Sequence, residues 1–291
     1  MREDASIAIL PGPSCQLGEG PGYDPATDTA WWFDILNRDL HRLHWESRRL
    51  ETIRLPGMAS MMAKVAGREE DLIAMDQGVW LRDPTDGRLT LLAELNAGPS
   101  GGQRTNDGRV HPSGALWIGS MAHDPVDGEG SIHLVRGTQA KLLFSGITIP
   151  NSICFSPDGT IGYFADTREG IIWRVPIDPE TGDVTGEKHM FHDGRRREGG
   201  IDGSVVDRHG YLWNARWGTG DLECFDPDGK LVKQLHLPVR QPTCPAFVGP
   251  GGNRMIVTSA AVNLEDTACE GHTLVLEDGC DGLHDAYFRI F

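Results

Sequence analysis

A chain of 291 residues is long enough for two domains, although all-β architectures of this size commonly form one. With 37 glycines, 18 prolines and only short apolar runs, it is suited to many turns and short strands rather than long helices. The formal net charge of −15 argues against nucleic acid and anionic membrane surfaces as partners, because both call for a basic patch.

The one basic run, Arg195-Arg196-Arg197, is flanked by Asp193 and Glu198 and reads as a solvated loop. Cys15, Cys154, Cys224, Cys244, Cys269 and Cys280 show neither a CxxC motif nor framework spacing, which fits free thiols in a reducing compartment. Met1 to Leu10 lacks the apolar run of a signal peptide, and no segment has transmembrane length. A cytoplasmic protein is expected, of unknown oligomeric state, with no membrane and no nucleic acid among its partners.

In chain order, residues 5–10 read as a strand whose partner is expected at His272–Leu276, so that both ends of the chain share one sheet. Strands follow near Ala30–Ile35 and Leu40–Trp45, with Asn37-Arg38-Asp39 as the turn between them. Lys64-Val65-Ala66 and Leu72–Met75 are read as the next pair, then Gly78–Arg82 and Leu89–Leu92. A loop over Gly98–Gly102 precedes a third repeat, and further repeats open near Pro150, Gly200 and Cys244. No linker interrupts the series, so residues 1–291 read as one domain. Six repeats would average roughly 48 residues, the size of a four-stranded propeller blade.

The repeats share a phase. From Asn106, Asn151 and Asp202, a turn glycine falls eight positions later, at Gly114, Gly159 and Gly210. From Glu19 the same count reaches the turn at Thr27-Asp28. Four positions after each opening residue the side chain is apolar or aromatic: Tyr23, Val110, Phe155 and Val206. The second repeat offers only Ala59-Ser60 at this phase, and the last offers Thr243 or Cys244.

Equal phase in a propeller means equivalent places before the innermost strands, so two carboxylates and two carboxamides are expected to converge. Glu19, Asn151 and Asp202 bring only oxygen donors, which suit Ca²⁺, Mg²⁺ or Mn²⁺ and are also compatible with Fe²⁺ or Zn²⁺. Three protein ligands would leave positions for water and substrate. The bland alternative is that each polar residue merely caps a strand-entrance turn. Met61 and Met62 are expected in the core, and Trp31, Trp117 and Trp213 between blades. His41, His44, His189 and His192 lack a metal-binding frame, and no GxSxG elbow accompanies Ser152 or Ser204.

Four segments carry a family resemblance. They are Leu17-Gly18-Glu19-Gly20-Pro21; Arg104-Thr105-Asn106-Asp107-Gly108 with Leu116-Trp117-Ile118-Gly119-Ser120-Met121; Pro150-Asn151-Ser152; and Asp202-Gly203-Ser204. Over nearly its whole length the chain resembles the SMP-30/gluconolactonase/regucalcin-like family. The resemblance implies an all-β, six-bladed β-propeller with four-stranded antiparallel blades around a central metal site. It implies one divalent metal ion on Glu19, Asn151 and Asp202, with Asp202 also the general base and Arg104 and Asn106 holding substrate. Family members often carry an acid after the Gly-[Ser/Thr]-Met segment; His123-Asp124 follows here, which makes Asp124 a further substrate contact. The implied activity is hydrolysis of a small-molecule sugar lactone, such as a glucono-, xylono- or arabinono-lactone. Rival expectations are hydrolysis of other lactones, esters or organophosphates on the same site, and a non-enzymatic Ca²⁺-binding propeller.

Overall fold

The computed structural model describes residues 6–95, 102–264, 268–277 and 279–290. The fold is the all-β six-bladed β-propeller: six four-stranded antiparallel sheets, and no helix among the described residues. Its strands fall into two compact units, one made of residues up to Pro56 with Gly194–His284, the other of Gly57–Asp193 with Asp285 onward.

In the first unit, blade one consists of β2 (Gly18–Asp24), β3 (Thr29–Asp34), β4 (Asp39–His44) and β5 (Arg49–Arg54). With β1 being Ile7–Ile9, blade five runs through β18 (Gly200–Val206), β19 (Leu212–Trp217), β20 (Asp221–Phe225) and β21 (Leu231–His236). Blade six combines β22 (Pro242–Val248), β23 (Arg254–Ser259) and β24 (Leu274–Leu276) with β1. Ile7 faces Leu276 and Ile9 faces Leu274, so the expected pairing of the two ends of the chain is present. Trp32, Leu43 and Trp45 of blade one pack on Ala246, Val248 and Ile256 of blade six. On the other side of blade six, Phe247 and Met255 pack with Val205, Trp213 and Leu222 of blade five.

The second unit holds blade two, with β6 (Ala59–Lys64), β7 (Asp71–Met75), β8 (Gly78–Arg82) and β9 (Leu89–Glu94). Blade three has β10 (Gln103–Val110), β11 (Leu116–Ala122), β12 (Gly130–Arg136) and β13 (Gln139–Ile147). Blade four has β14 (Pro150–Phe155), β15 (Ile161–Asp166), β16 (Ile171–Pro176) and β17 (His189–Asp193). Trp117 of blade three stands edge-on to Phe155 of blade four, with ring centroids 5.3 Å apart, and its indole N–H donates to the Gly182 carbonyl at 2.9 Å. Met61 is buried in the core shared by blades two and three, and Met62 is also buried.

The repeat phase comes from turn geometry. Gly114, Gly159 and Gly210 have φ of +93°, +69° and +84°, which glycine adopts without the steric cost of a Cβ. At the corresponding turn of blade one Asp28 takes φ +49°, a conformation aspartate tolerates better than most residues.

Two local expectations are corrected. The strand expected at Lys64–Ala66 ends at Lys64, and Val65 instead forms a parallel bridge with Phe288 of the C-terminal segment. Arg197 is not simply solvated: its guanidinium lies 2.6 Å from Glu223, whose side chain is wholly buried, and it also donates to Gln234. Of the loop expected at Gly98–Gly102, only Gly102 lies within the described residues.

Removing the Trp117 side chain deletes the edge-on contact and the indole bond together. Trp117→Ala should cost about 3–5 kcal/mol, read as a lower urea midpoint; an unchanged midpoint would contradict this packing.

Candidate functional site

The first strand of every blade contains a β-bulge near its start. The ladder skips between Glu19 and Gly22, Ala59 and Met61, Thr105 and Gly108, Asn151 and Cys154, Ile201 and Ser204, and Pro242 and Pro245. A bulge leaves residues unpaired and re-aims side chains. The shared sequence phase falls on these bulges with an offset of one step. Glu19 and Asn151 are the last paired residues before the skip, whereas Asn106 and Asp202 are the first residues inside it. All four are buried, with exposures of 8% for Glu19, 7% for Asn106, 3% for Asn151 and 6% for Asp202.

In the second unit, Arg104, Asn106 and Asn151 form one hydrogen-bonded chain. Arg104 donates to Asn106 Oδ1 at 2.7 Å and to the Thr105 carbonyl at 3.0 Å. Asn106 Nδ2 donates to Asn151 Oδ1 and to the Pro150 carbonyl, both at 2.9 Å. Asn151 Nδ2 donates in turn to Thr167 Oγ1 at 2.8 Å. Guanidinium can only donate, so Arg104 dictates which way both carboxamides face. Asn151 therefore turns its oxygen toward Asn106, with a second lone pair remaining on that oxygen. Both Nδ2 hydrogens of Asn106 are engaged, so toward a ligand Asn106 offers an acceptor rather than a donor.

The bulge after Asn151 is strained and gripped from the neighbouring strand. Ser152 is wholly buried and takes φ +58°, a conformation that costs a non-glycine residue about 1–3 kcal/mol. Asp107 accepts the Ile153 N–H at 2.6 Å, while Arg109 donates to the Ile153 carbonyl at 3.3 Å. Burial pushes the Asp107 carboxyl up to about 6, against the opposing pull of Arg109 and the Ile153 amide.

In the first unit, Glu19 accepts the Gly20 N–H at 3.0 Å, with Gly20 at φ +54°. Asn214, wholly buried on β19, holds the Asp202 bulge by donating to the carbonyls of Asp202 (2.9 Å) and Gly203 (3.2 Å) and to Ser204 Oγ (2.9 Å). Thr243 donates to the Gly18 carbonyl at 2.6 Å. Cys244 is buried, and all six cysteines are free thiols.

Sequence reasoning missed Asp107, Arg109 and Asn214 as residues that hold the site. Asn214 left one signal: an amide where the matching ladder position of blade three carries Ile118. Asp124 lies exposed between β11 and β12, whereas Arg104, Asn106 and Asn151 are buried. Among the described residues no three His, Cys, Asp or Glu side chains gather around a metal position. The expected ligand set contains only two residues of those types, its third being a carboxamide. Carboxylate and carboxamide oxygens are the donor types that suit a hard divalent cation.

The model of the SMP-30/Gluconolactonase/LRE-like region matches residues 17–261, which takes in Glu19, Arg104, Asn106, Asn151 and Asp202. The chain belongs to this family. It is 47% identical over 253 residues to a candidate sugar lactone lactonase of Rhizobium meliloti (strain 1021), covering 87% of this chain and 85% of that protein. It is 32% identical over 260 residues to a pentonolactonase of Haloferax volcanii, covering 89% of this chain and 86% of that one. Among solved structures it matches a calcium-binding protein, regucalcin, from Agrobacterium tumefaciens str. C58, with TM-score 0.94, 47% identity, and 98% and 97% of the two chains covered.

Gly203 tests how tightly the Asp202 bulge is packed. A Cβ added there would stand 2.5 Å from the Cys244 sulfur and 2.9 Å from Cys244 Cα. Gly203→Ala should destabilise by about 1–3 kcal/mol. Adding Cys244→Ala should restore only part, since the clash with backbone remains; full restoration in urea unfolding would contradict the backbone contact.

Proposed function

We propose that the protein is a divalent-metal-dependent hydrolase that opens a sugar lactone to its aldonic acid. Support comes from the lactonase relatives and, above all, from the Arg104–Asn106–Asn151 chain, which presents oxygen acceptors and an arginine at the matched positions. In this reading Glu19, Asn151 and Asp202 hold one divalent cation, with Ca²⁺, Mn²⁺, Fe²⁺, Mg²⁺ and Zn²⁺ as the candidates. A bound cation supplies Lewis acidity toward a carbonyl and eases ionisation of water.

The protein's own residues supply the rest. The Asp202 carboxylate accepts the proton of the attacking water and returns it to the ring oxygen as the acyl C–O bond breaks. Arg104 offsets the negative charge that grows on the carbonyl oxygen of the tetrahedral intermediate. Asn106 accepts a hydrogen bond from a sugar hydroxyl through Oδ1, and Asp124 makes a further contact from the β11–β12 loop. Aryl esters and organophosphates offer no hydroxyl to Asn106, so sugar lactones are the better fit.

A pH-stat assay tests this with an aldonolactone and an unsubstituted lactone of the same ring size, each with and without exhaustive chelation. Chelation should abolish turnover and leave far-UV circular dichroism nearly native, because the blade cores contain no proposed ligand. The hydroxylated substrate should lead in kcat/KM by about tenfold for each hydrogen bond gained. Full activity without metal, or equal rates on both substrates, would overturn the proposal.

A further inference from the structure

Beyond the proposed ligands, the C-terminal segment reaches toward the bulge that carries Asn151. Phe288 is wholly buried beside Val65, its N–H donating to the Lys64 carbonyl and its own carbonyl accepting the Ala66 N–H, both at 2.8 Å. The Arg289 N–H donates to the Gly114 carbonyl at 2.9 Å. These bonds fix the segment on blades two and three and set Asp285 against Arg109, with the carboxylate 2.6 Å from Arg109 Nη1.

The Arg109 side chain is 8% exposed and works in two directions, toward Asp285 through Nη1 and toward the Ile153 carbonyl through Nε. Ile153 lies in the stretch of β14 that has no ladder partner on β15. Its N–H is taken by Asp107 and its carbonyl by Arg109, so blade three replaces the missing ladder bonds. The left-handed Ser152 is thereby enclosed between Asn151, held by Asn106, and Ile153, held by Asp107 and Arg109. A backbone in such a conformation persists only where its surroundings over-determine it.

We propose that Arg109, anchored by Asp285 of the C-terminal segment, is a positioning residue that holds the Ser152–Ile153 bulge and so keeps Asn151 in its ligating orientation. The ligating role of Asn151 belongs to the functional reading above; the grip on the bulge stands on the geometry alone. Residues that orient a metal ligand without touching the metal typically cost 10–100-fold in metal affinity when replaced. Asp285 does so from outside the segments that resemble the family's site.

The test uses the full chain with Mn²⁺ as the probe. Asp285→Ala, Asp285→Asn and Asn151→Ala are compared with the parent in two measurements: Mn²⁺ affinity by chelator competition, and hydrogen–deuterium exchange of the metal-free protein over residues 150–155. Asp285→Ala should weaken Mn²⁺ binding by about tenfold or more and speed exchange at Ile153, while kcat at saturating metal changes little. Asp285→Asn keeps the side-chain shape and should give a smaller shift in the same direction; it carries the test if the alanine variant does not fold. Unchanged exchange in the Asp285 variants overturns the grip. Faster exchange with unchanged affinity overturns the positioning role, provided Asn151→Ala weakens binding. Unchanged affinity in Asn151→Ala overturns the ligand assignment and the positioning role with it, while the exchange data still decide the grip.

Discussion

Every blade of this protein gives up part of a ladder at the same place, and the candidate chemistry depends on that sacrifice. A regular strand would alternate its side chains between two faces and leave none at the needed angle. The bulges at Glu19, Asn106, Asn151 and Asp202 break the alternation and free backbone groups that must then find other partners. The partners are side chains: Asn214 for the Asp202 bulge, and Asp107 with Arg109 for the bulge after Asn151. Blade two keeps the bulge but has Ser60 inside the skip, a hydroxyl that donates to Thr105 Oγ1 at 2.9 Å, in place of a carboxylate or carboxamide.

Arg104 then imposes a polarity on what the bulges present. It has no acceptor, so Asn106 must turn its oxygen toward it and its amide nitrogen toward Asn151. A lysine at position 104 would keep the charge but could not span Asn106 and the Thr105 carbonyl with the same rigid fork. Burial of the chain makes each bond costly to leave unmade, so the carboxamides keep their orientation before any ligand arrives.

Much of this was legible in the sequence because it rests on local chemistry. Gly114, Gly159 and Gly210 mark left-handed turns that favour glycine, and counting back from them finds the polar phase. The pairing of Ile7–Ile9 with Leu274–Leu276 followed from the need to leave no open edge between chain ends. The single-step offset among the four bulge residues was not legible, since it depends on which residue the facing strand pairs with. The Val65–Phe288 bridge, the Arg197–Glu223 pair and the Arg109–Asp285 pair were hidden for the same reason. Each joins residues far apart in sequence that follow no periodicity, and each shows only once the strands are in register.

In the proposed function Glu19, Asn151 and Asp202 bind one divalent cation. The most direct test is anomalous diffraction at the manganese edge from crystals grown with Mn²⁺. One dominant peak is predicted, about 2.0–2.6 Å from a side-chain oxygen of each of the three residues. No peak there, or a dominant peak with other ligands, would contradict this ligand assignment.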